Sequence, residues 1–375
     1  MSQPSPRPPG TFSLGTVVGV EVRVQTSWIF IAVLIAVLWA PRVDAVAPGL
    51  GAMKYLAGFG FAVLLYLSVL LHEIAHAVVA QRFGLPVGAI TLHFLGGMTE
   101  VKAESKSPWQ EFAVAVVGPI VSILVGVASL GVLLSAKPTG LIALALEGLA
   151  GANIFVGIFN LLPGIPLDGG RVVTAAVWKL TGSRTTGLIA AGWGGRLCAL
   201  AALALPLVLV ALGITPQISD YLIAALVASF IWRGASSALH VARVRRAIPK
   251  LSARAMARSV IALPGDLSIA EGVRRAQEAG AGAIVLHIGS GQIVGIVSEG
   301  ALATIPEDRR PWQSLSSVAR PLDDGEALSA DISGDELLSV LRSRPAPEYL
   351  LVDEDHQIYG VLASTDIESA LKGSL

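Results

Sequence analysis

The sequence predicts a polytopic α-helical membrane protein, six transmembrane helices with a short interfacial β segment, followed by a soluble domain of mixed α and β structure. Three observations predict it. Hydrophobic residues make up 53% of the 375 and charged residues only 14%, with a mean hydropathy of +0.69, a composition that belongs largely in lipid. Apolar runs long enough to span a bilayer recur up to about residue 240. From Ser252 onward charges return, apolar runs shorten, and helix and strand patterns alternate.

Residues 1–25 read as an N-terminal tail; Met1 to Gly10 is rich in proline and serine and has no basic region leading into a short apolar core, so no signal peptide is expected. The first span covers Trp28 to Trp39, with tryptophans suited to both interfaces and Val24 and Thr26 extending it. The second runs from Tyr55 to Arg82. Between Leu85 and Glu104 the apolar residues alternate and glycines intervene, a strand pattern that must lie at the interface or line a protected cavity, because open strand edges are not tolerated in lipid. An exposed edge there could hold a substrate in extended form. The third span, Pro108 to Ser135, contains Gly118-Pro119, a local backbone break. The fourth begins near Leu141 and breaks over Leu161 to Gly170, where two prolines and three glycines forbid a regular helix. Thr186 to Leu212 and Ile218 to Ala238 complete six spans. Glu147 and Arg196 are intramembrane charges expected to serve packing.

Residues 26–240 thus form the membrane domain, 241–251 a basic linker, and 252–310 and 311–375 the two parts of the soluble domain. With the N-terminus inside, the inner segments collect Arg82, Lys102, Lys106, Lys179, Arg184 and the Arg243–Arg246 cluster, while the outer ones hold only Arg42, Lys54 and Lys137. The positive-inside tendency therefore puts both termini and the soluble domain in the cytoplasm. The formal net charge of zero gives no argument for nucleic acid, and the bilayer is the expected surroundings. The single cysteine, Cys198, cannot form an internal disulfide or a thiolate zinc cluster, and reads as helix packing.

The chemistry is concentrated in Leu70 to Arg82, LLHEIAHAVVAQR. On a helix His72 and His76 share a face and can reach one metal ion, while Glu73 flanks it as a base for water. From Tyr55 to Ala80 Glu73 is the one charged residue, and a carboxylate with two imidazoles in such a helix is costly unless they serve a site. Catalytic zinc takes three protein ligands and leaves a position open. Asp168, in Pro166-Leu167-Asp168-Gly169-Gly170-Arg171, is the candidate third ligand, with an N-cap for a helix starting near Arg171 as its other reading. His93, alone on a strand, is expected to be structural.

At these residues the chain resembles the site-2 proteases, the intramembrane zinc metalloproteases. It shares HExxH in one membrane helix and a later LDG, here His72 to His76 and Leu167 to Gly169, with Gly118-Pro119, Ser122 and Asn160-Leu161-Leu162-Pro163 between. The resemblance implies one Zn2+ held by His72, His76 and Asp168, Glu73 as general base, and Asn160 as a residue steadying the substrate backbone or oxyanion; the alternative for Asn160 is an amide bonded to unwound carbonyls. It implies an endopeptidase that cuts single-span membrane proteins, such as an anti-sigma factor or a membrane-bound regulator, in regulated intramembrane proteolysis. A transporter or channel, or a catalytically silent scaffold, are the alternatives; the first leaves Glu73 without a purpose.

The soluble region repeats with an offset of 65 residues: Asp266-Leu267-Ser268 falls on Asp331-Ile332-Ser333, and Gln292-Ile293 with Gly295 falls on Gln357-Ile358 with Gly360. This resembles a tandem pair of CBS domains, a regulatory or homodimerising module that in its family often binds adenine nucleotides. Each repeat keeps one element of the nucleotide motif, Ser298 in the first and Asp366 in the second, with Ala301 and Ala363 where the other would be.

Overall fold

The computed structural model describes residues 10–94, 96–289, 292–323, 326–355 and 357–373. Residues 1–9 of the expected tail lie outside these. The chain divides into two compact units, one through Ala242 and one from Arg243.

The first unit departs from expectation at its start. Residues 11–25 form a hairpin, β1 (Thr11–Val17) and β2 (Val20–Gln25), where a tail was expected. Alternation in Val20, Val22 and Val24 carries the reason: Val20 and Val22 are almost wholly buried, and Val20 packs with Ala77 and Ile90. Two helices intervene, α1 (Ser27–Val46) and α2 (Met53–Arg82), and β2 then pairs in parallel with β3 (Val87–His93), which pairs antiparallel with β4 (Gly96–Val101). The sheet order β1-β2-β3-β4 leaves β4 an edge. Val24, expected to extend the first span, belongs to this sheet.

Beyond the sheet run α3 (Pro108–Ala136), α4 (Gly140–Asn160), α5 (Asp168–Thr181), α6 (Arg184–Ala211) and α7 (Ile218–Ala247). All except α5, together with α1 and α2, are long and apolar enough to cross a membrane, giving six spans among the described residues. The expected break at Gly118-Pro119 is absent, since α3 continues through Pro119. Proline removes one rung of the hydrogen-bond ladder, and burial of the turn on both sides of it holds the helix together. The break at 161–167 is real, and its backbone lies on two glycines of α6: a Cβ on Gly195 would meet the Ile165 carbonyl oxygen at 2.2 Å, and one on Gly194 the Pro163 carbonyl oxygen at 2.0 Å. The basic linker of 241–251 is largely the end of α7.

Arg196 serves packing as expected, its guanidinium lying over the Trp193 and Trp232 rings at 4.9 and 5.0 Å. Buried Glu111 near the start of α3 receives Arg171 Nε at 2.9 Å and Arg184 NH2 at 3.4 Å, tying the first turns of α5 and α6 to α3. Glu111 is the buried member of this cluster, while Arg171 and Arg184 keep part of their side chains exposed.

After the last residues of α7 the second unit continues with α8 (Ala253–Met256) and contains two repeats of like order. The first is β5 (Val260–Pro264), α9 (Ile269–Glu278), β6 (Ala283–His287), β7 (Ile293–Val297) and α10 (Glu299–Thr304), with β8 (Ala319–Pro321) added to its sheet. The second is β9 (Ala327–Ser329), α11 (Gly334–Ser343), β10 (Glu348–Val352), β11 (Ile358–Ala363) and α12 (Ser364–Gly373). The linear division at 310/311 does not match the cores. Leu251 and Ala253 pack with Leu337, Tyr349 and Leu362 of the second repeat, while Leu315 and Val318 pack with Leu263, Ile269 and Leu286 of the first. Ala253 and Val318 are equivalent under the 65-residue offset, so each repeat lends the other its leading segment.

Arg258 ties the repeats together. Its Nε and NH2 donate to the two Asp366 carboxylate oxygens at 2.6 and 2.8 Å, and it also pairs with Glu299. The guanidinium holds the Asp366 carboxyl below the usual aspartate range. A carboxyl with a depressed folded pKa stabilises above its unfolded pKa and loses that contribution as pH falls through the folded one. Arg258→Gln is therefore expected to lower the thermal midpoint of this unit at pH 7, with the difference from wild type shrinking only below about pH 3.9. Thermal unfolding across pH 7 to 3 checks this.

Candidate active site

The site grows out of the crossing of α2 and α3. His72 and His76 lie one helical turn apart on the buried face of α2, 5% exposed each, and Glu73 is also buried. The facing stripe of α3 consists of Val114, Gly118 and Ser122, four residues apart and all buried. His76 Nδ1 donates to the Val114 carbonyl oxygen at 2.6 Å, and His72 Nδ1 lies 2.9 Å from Ser122 Oγ. With both Nδ1 atoms so engaged, both Nε2 atoms point inward.

Gly118 makes that crossing possible. A Cβ there would meet His76 Nε2 at 2.3 Å and His72 Nε2 at 2.6 Å, so any side chain would fill the space between the ring nitrogens. Into the same space comes Asp168 from α5. Leu167 occupies the N-cap position and makes no side-chain cap, while Asp168 Oδ2 lies 3.2 Å from His72 Nε2 and 3.3 Å from His76 Nε2. The Asp168 carboxylate is thus turned to the histidines and does not cap the helix. The two Nε2 atoms are 3.1 Å apart.

These three atoms form a nearly equilateral triangle. A tetrahedral zinc ion with bonds of about 2.0–2.1 Å needs ligand atoms about 3.3–3.4 Å apart. The donor set, its spacing and its two nitrogens and one carboxylate oxygen fit a catalytic zinc centre with one position left for a non-protein ligand.

Beside the triangle opens a cleft of about 440 Å³, lined by Glu73, His93, Gly97, Met98, Asn160 and Asp168 among others. Thr99 Oγ1 donates to Glu73 Oε2 at 2.6 Å, fixing the carboxylate against the β4 edge. A Cβ on Gly97 would meet the Glu73 side chain at 2.4 Å, so the edge and the acid share one close contact. His93 faces the same cleft, where burial holds its imidazole below the ordinary histidine pKa against the pull of Glu73. Asn160, at the last position of α4, stands on the cleft wall; the expected alternative, an amide bonded to unwound carbonyls, is not seen among the described residues.

A family model described as Peptidase family M50 matches residues 60–146 and 135–193, the stretch carrying this site. The protein named "Putative zinc metalloprotease Rip3" of Mycobacterium tuberculosis is 31% identical over 94% of this chain and 91% of its own length. The chain belongs to peptidase family M50. As an M50 peptidase it is a membrane-embedded zinc metalloprotease, which replaces the transporter, channel and silent-scaffold alternatives. Among solved structures, a site-2 protease from Methanocaldococcus jannaschii aligns with a TM-score of 0.42 at 25% identity over 61% of this chain and 95% of that one. The CBS domain of a bacterial CNNM/CorC family Mg2+ transporter aligns with a TM-score of 0.29 at 16% identity over 39% of this chain and 94% of that one.

Of the residues expected from sequence, His72, His76 and Asp168 meet at one point, and Glu73 and Asn160 line the cleft beside it. Ser298 and Asp366 belong to the second unit, where Ser298 caps α10 by accepting from the Ala301 amide at 3.4 Å and Asp366 is held by Arg258. Sequence reasoning missed Thr99, the Val114 carbonyl, the Gly194-Gly195 seat and the Glu111–Arg171 tie. For the last three a signal existed: the four-residue spacing back from Gly118, paired glycines in an apolar helix, and an acid in the first turn of a membrane helix.

Two substitutions on α3 test the crossing. Gly118→Ala is expected to abolish metal retention while helical content by circular dichroism stays at the wild-type level. Ser122→Ala, which frees the His72 ring, is expected to weaken metal affinity by about 10–100-fold in a chelator competition titration.

Proposed function

We propose that His72, His76 and Asp168 hold the zinc ion of this M50 peptidase and that Glu73 is its general base. The observation that supports this reading is the triangle of ligand atoms with the Thr99-fixed Glu73 carboxylate at its side, on the wall of one cleft. When bound, the ion supplies Lewis acidity, polarising the scissile carbonyl and lowering the pKa of water. Glu73 takes the proton of the attacking water and delivers it to the leaving amine, with Thr99 keeping Oε2 oriented between the two transfers. Asn160 is assigned to steady the substrate backbone or the developing oxyanion.

The substrate is a single-span membrane protein, such as an anti-sigma factor or a membrane-bound regulator, cut after part of its helix unwinds. An extended segment would add to the β4 edge at Gly96 to Met98, which lies on the cleft wall. Both termini are assigned to the cytoplasm from the lysine and arginine distribution, so α2 brings the site in from the inner face, about 15 Å from Arg82 by the helical rise. The repeat pair is assigned a regulatory or homodimerising role of CBS type. An adenine nucleotide using Asp366 would have to displace Arg258, so a nucleotide effect is expected to require that pair to open.

Zinc content paired with cleavage of a single-span substrate in detergent tests the assignment. Wild type is expected to cut, Glu73→Gln to keep zinc at wild-type stoichiometry with cleavage lost by at least about 10²-fold, and Asp168→Ala to lose metal. Retention of zinc by Asp168→Ala places the third ligand elsewhere.

A further inference from the structure

Arg42 and Glu147 are two opposite charges set in membrane-spanning helices, and no step of the proteolysis uses them. Arg42 is four residues from the end of α1 and Glu147 seven from the start of α4, about 6 and 10 Å into helices that share one end of the membrane. Both are exposed, neither makes an ion pair among the described residues, and both line one cavity of about 570 Å³. Intramembrane ionisable residues without an opposite charge from the protein point to a ligand or a pathway. The cavity has no residue in common with the catalytic cleft, and its Phe61 lies eleven residues, about 16 Å along α2, from His72.

The wall is built, not incidental. Trp39 and Phe61 stack with centroids 4.2 Å apart and planes within 2° of parallel, and the Arg42 guanidinium lies over Trp39 at 4.9 Å. The stack rests on α4 at Gly148, where a Cβ would meet Phe61 at 2.6 Å and Trp39 at 2.7 Å. A second cavity of about 580 Å³ shares Trp39, Phe61 and Leu144 and is otherwise lined by apolar residues such as Leu64 and Ile142. One cation and one anion in the lining of otherwise apolar cavities complement a molecule with an anionic group, a cationic group and long hydrocarbon chains.

We propose that this cavity is a binding site for a zwitterionic phospholipid with a primary ammonium head group. Arg42 donates to the phosphate oxygens, the Glu147 carboxylate accepts from the ammonium N–H groups, and the acyl chains lie in the two cavities that share the Trp39–Phe61 stack. Ammonium N–H donors matter because a carboxylate gains a charge-assisted hydrogen bond from them that a trimethylammonium cannot give.

Native mass spectrometry of the full chain from nanodiscs of equimolar phosphatidylethanolamine, phosphatidylcholine and phosphatidylglycerol reads this directly. Wild type is expected to retain phosphatidylethanolamine about tenfold over phosphatidylcholine, the worth of one charged hydrogen bond. Glu147→Gln is expected to erase that preference, and Arg42→Gln to lower retention of all three lipids. A series on wild type alone, adding one methyl at a time to the ammonium, should lower retention stepwise and needs no variant to fold. Equal retention of the three lipids by wild type, an unchanged preference in Glu147→Gln, or a flat methylation series overturns the proposal. So does retention of a co-reconstituted single-span peptide in place of lipid, lost on Arg42→Gln, which would make the cavity a substrate site.

Discussion

The structure depends on one close approach, α3 against α2 at Gly118. Two imidazoles and two carboxylates in a membrane domain are tolerable only if each has a partner. The approach supplies most of them: the Val114 carbonyl and Ser122 hydroxyl take the outward nitrogens of the histidines, and the missing side chain at Gly118 leaves the inward nitrogens room to face Asp168. Everything else in the membrane unit can be read as keeping that contact in register. The Glu111–Arg171 pair ties α5, three residues past Asp168, to the same helix that carries Gly118. The seat of residues 163–165 on Gly194 and Gly195 fixes the irregular chain that delivers Asp168.

The β sheet performs a different task at the same place. It sits beside the buried face of α2, with β2 and β3 covering Ala77, and its free edge carries Thr99 to the Glu73 carboxylate. A general base must hold one orientation while it accepts and returns a proton, and a hydroxyl on a strand is a stiffer support than one on a loop. On the proposed reading, the strand that orients Glu73 is also the edge an extended peptide would join, so substrate pairing and base positioning would share one element.

Much of this was legible in the sequence, for identifiable reasons. Six apolar runs, the helical spacing of His72 and His76, and the glycine-bracketed Asp168 are local patterns, and each survives in the structure. The 65-residue repeat was visible because equivalent positions kept their residues. What sequence could not carry was pairing at a distance. Val20 and Val22 alternate over too few residues to mark a strand until β3 lies alongside, so the N-terminal hairpin read as a tail. The exchange of Ala253 and Val318 between repeat cores has no local signal, because either residue satisfies a core in its own repeat equally well. The helix through Pro119 persisted because tertiary packing outweighs one lost hydrogen bond, a balance that composition does not disclose.

The central claim is that two imidazole nitrogens and one carboxylate oxygen hold the metal. X-ray absorption at the zinc edge of the purified full chain tests it most directly. The account predicts a first shell of two imidazole nitrogens with the remaining donors oxygen, at about 2.0–2.1 Å, and loss of one oxygen donor or of the metal itself in Asp168→Ala. A first shell with three imidazoles, which would bring His93 in place of Asp168, or an unchanged spectrum in Asp168→Ala, would contradict it.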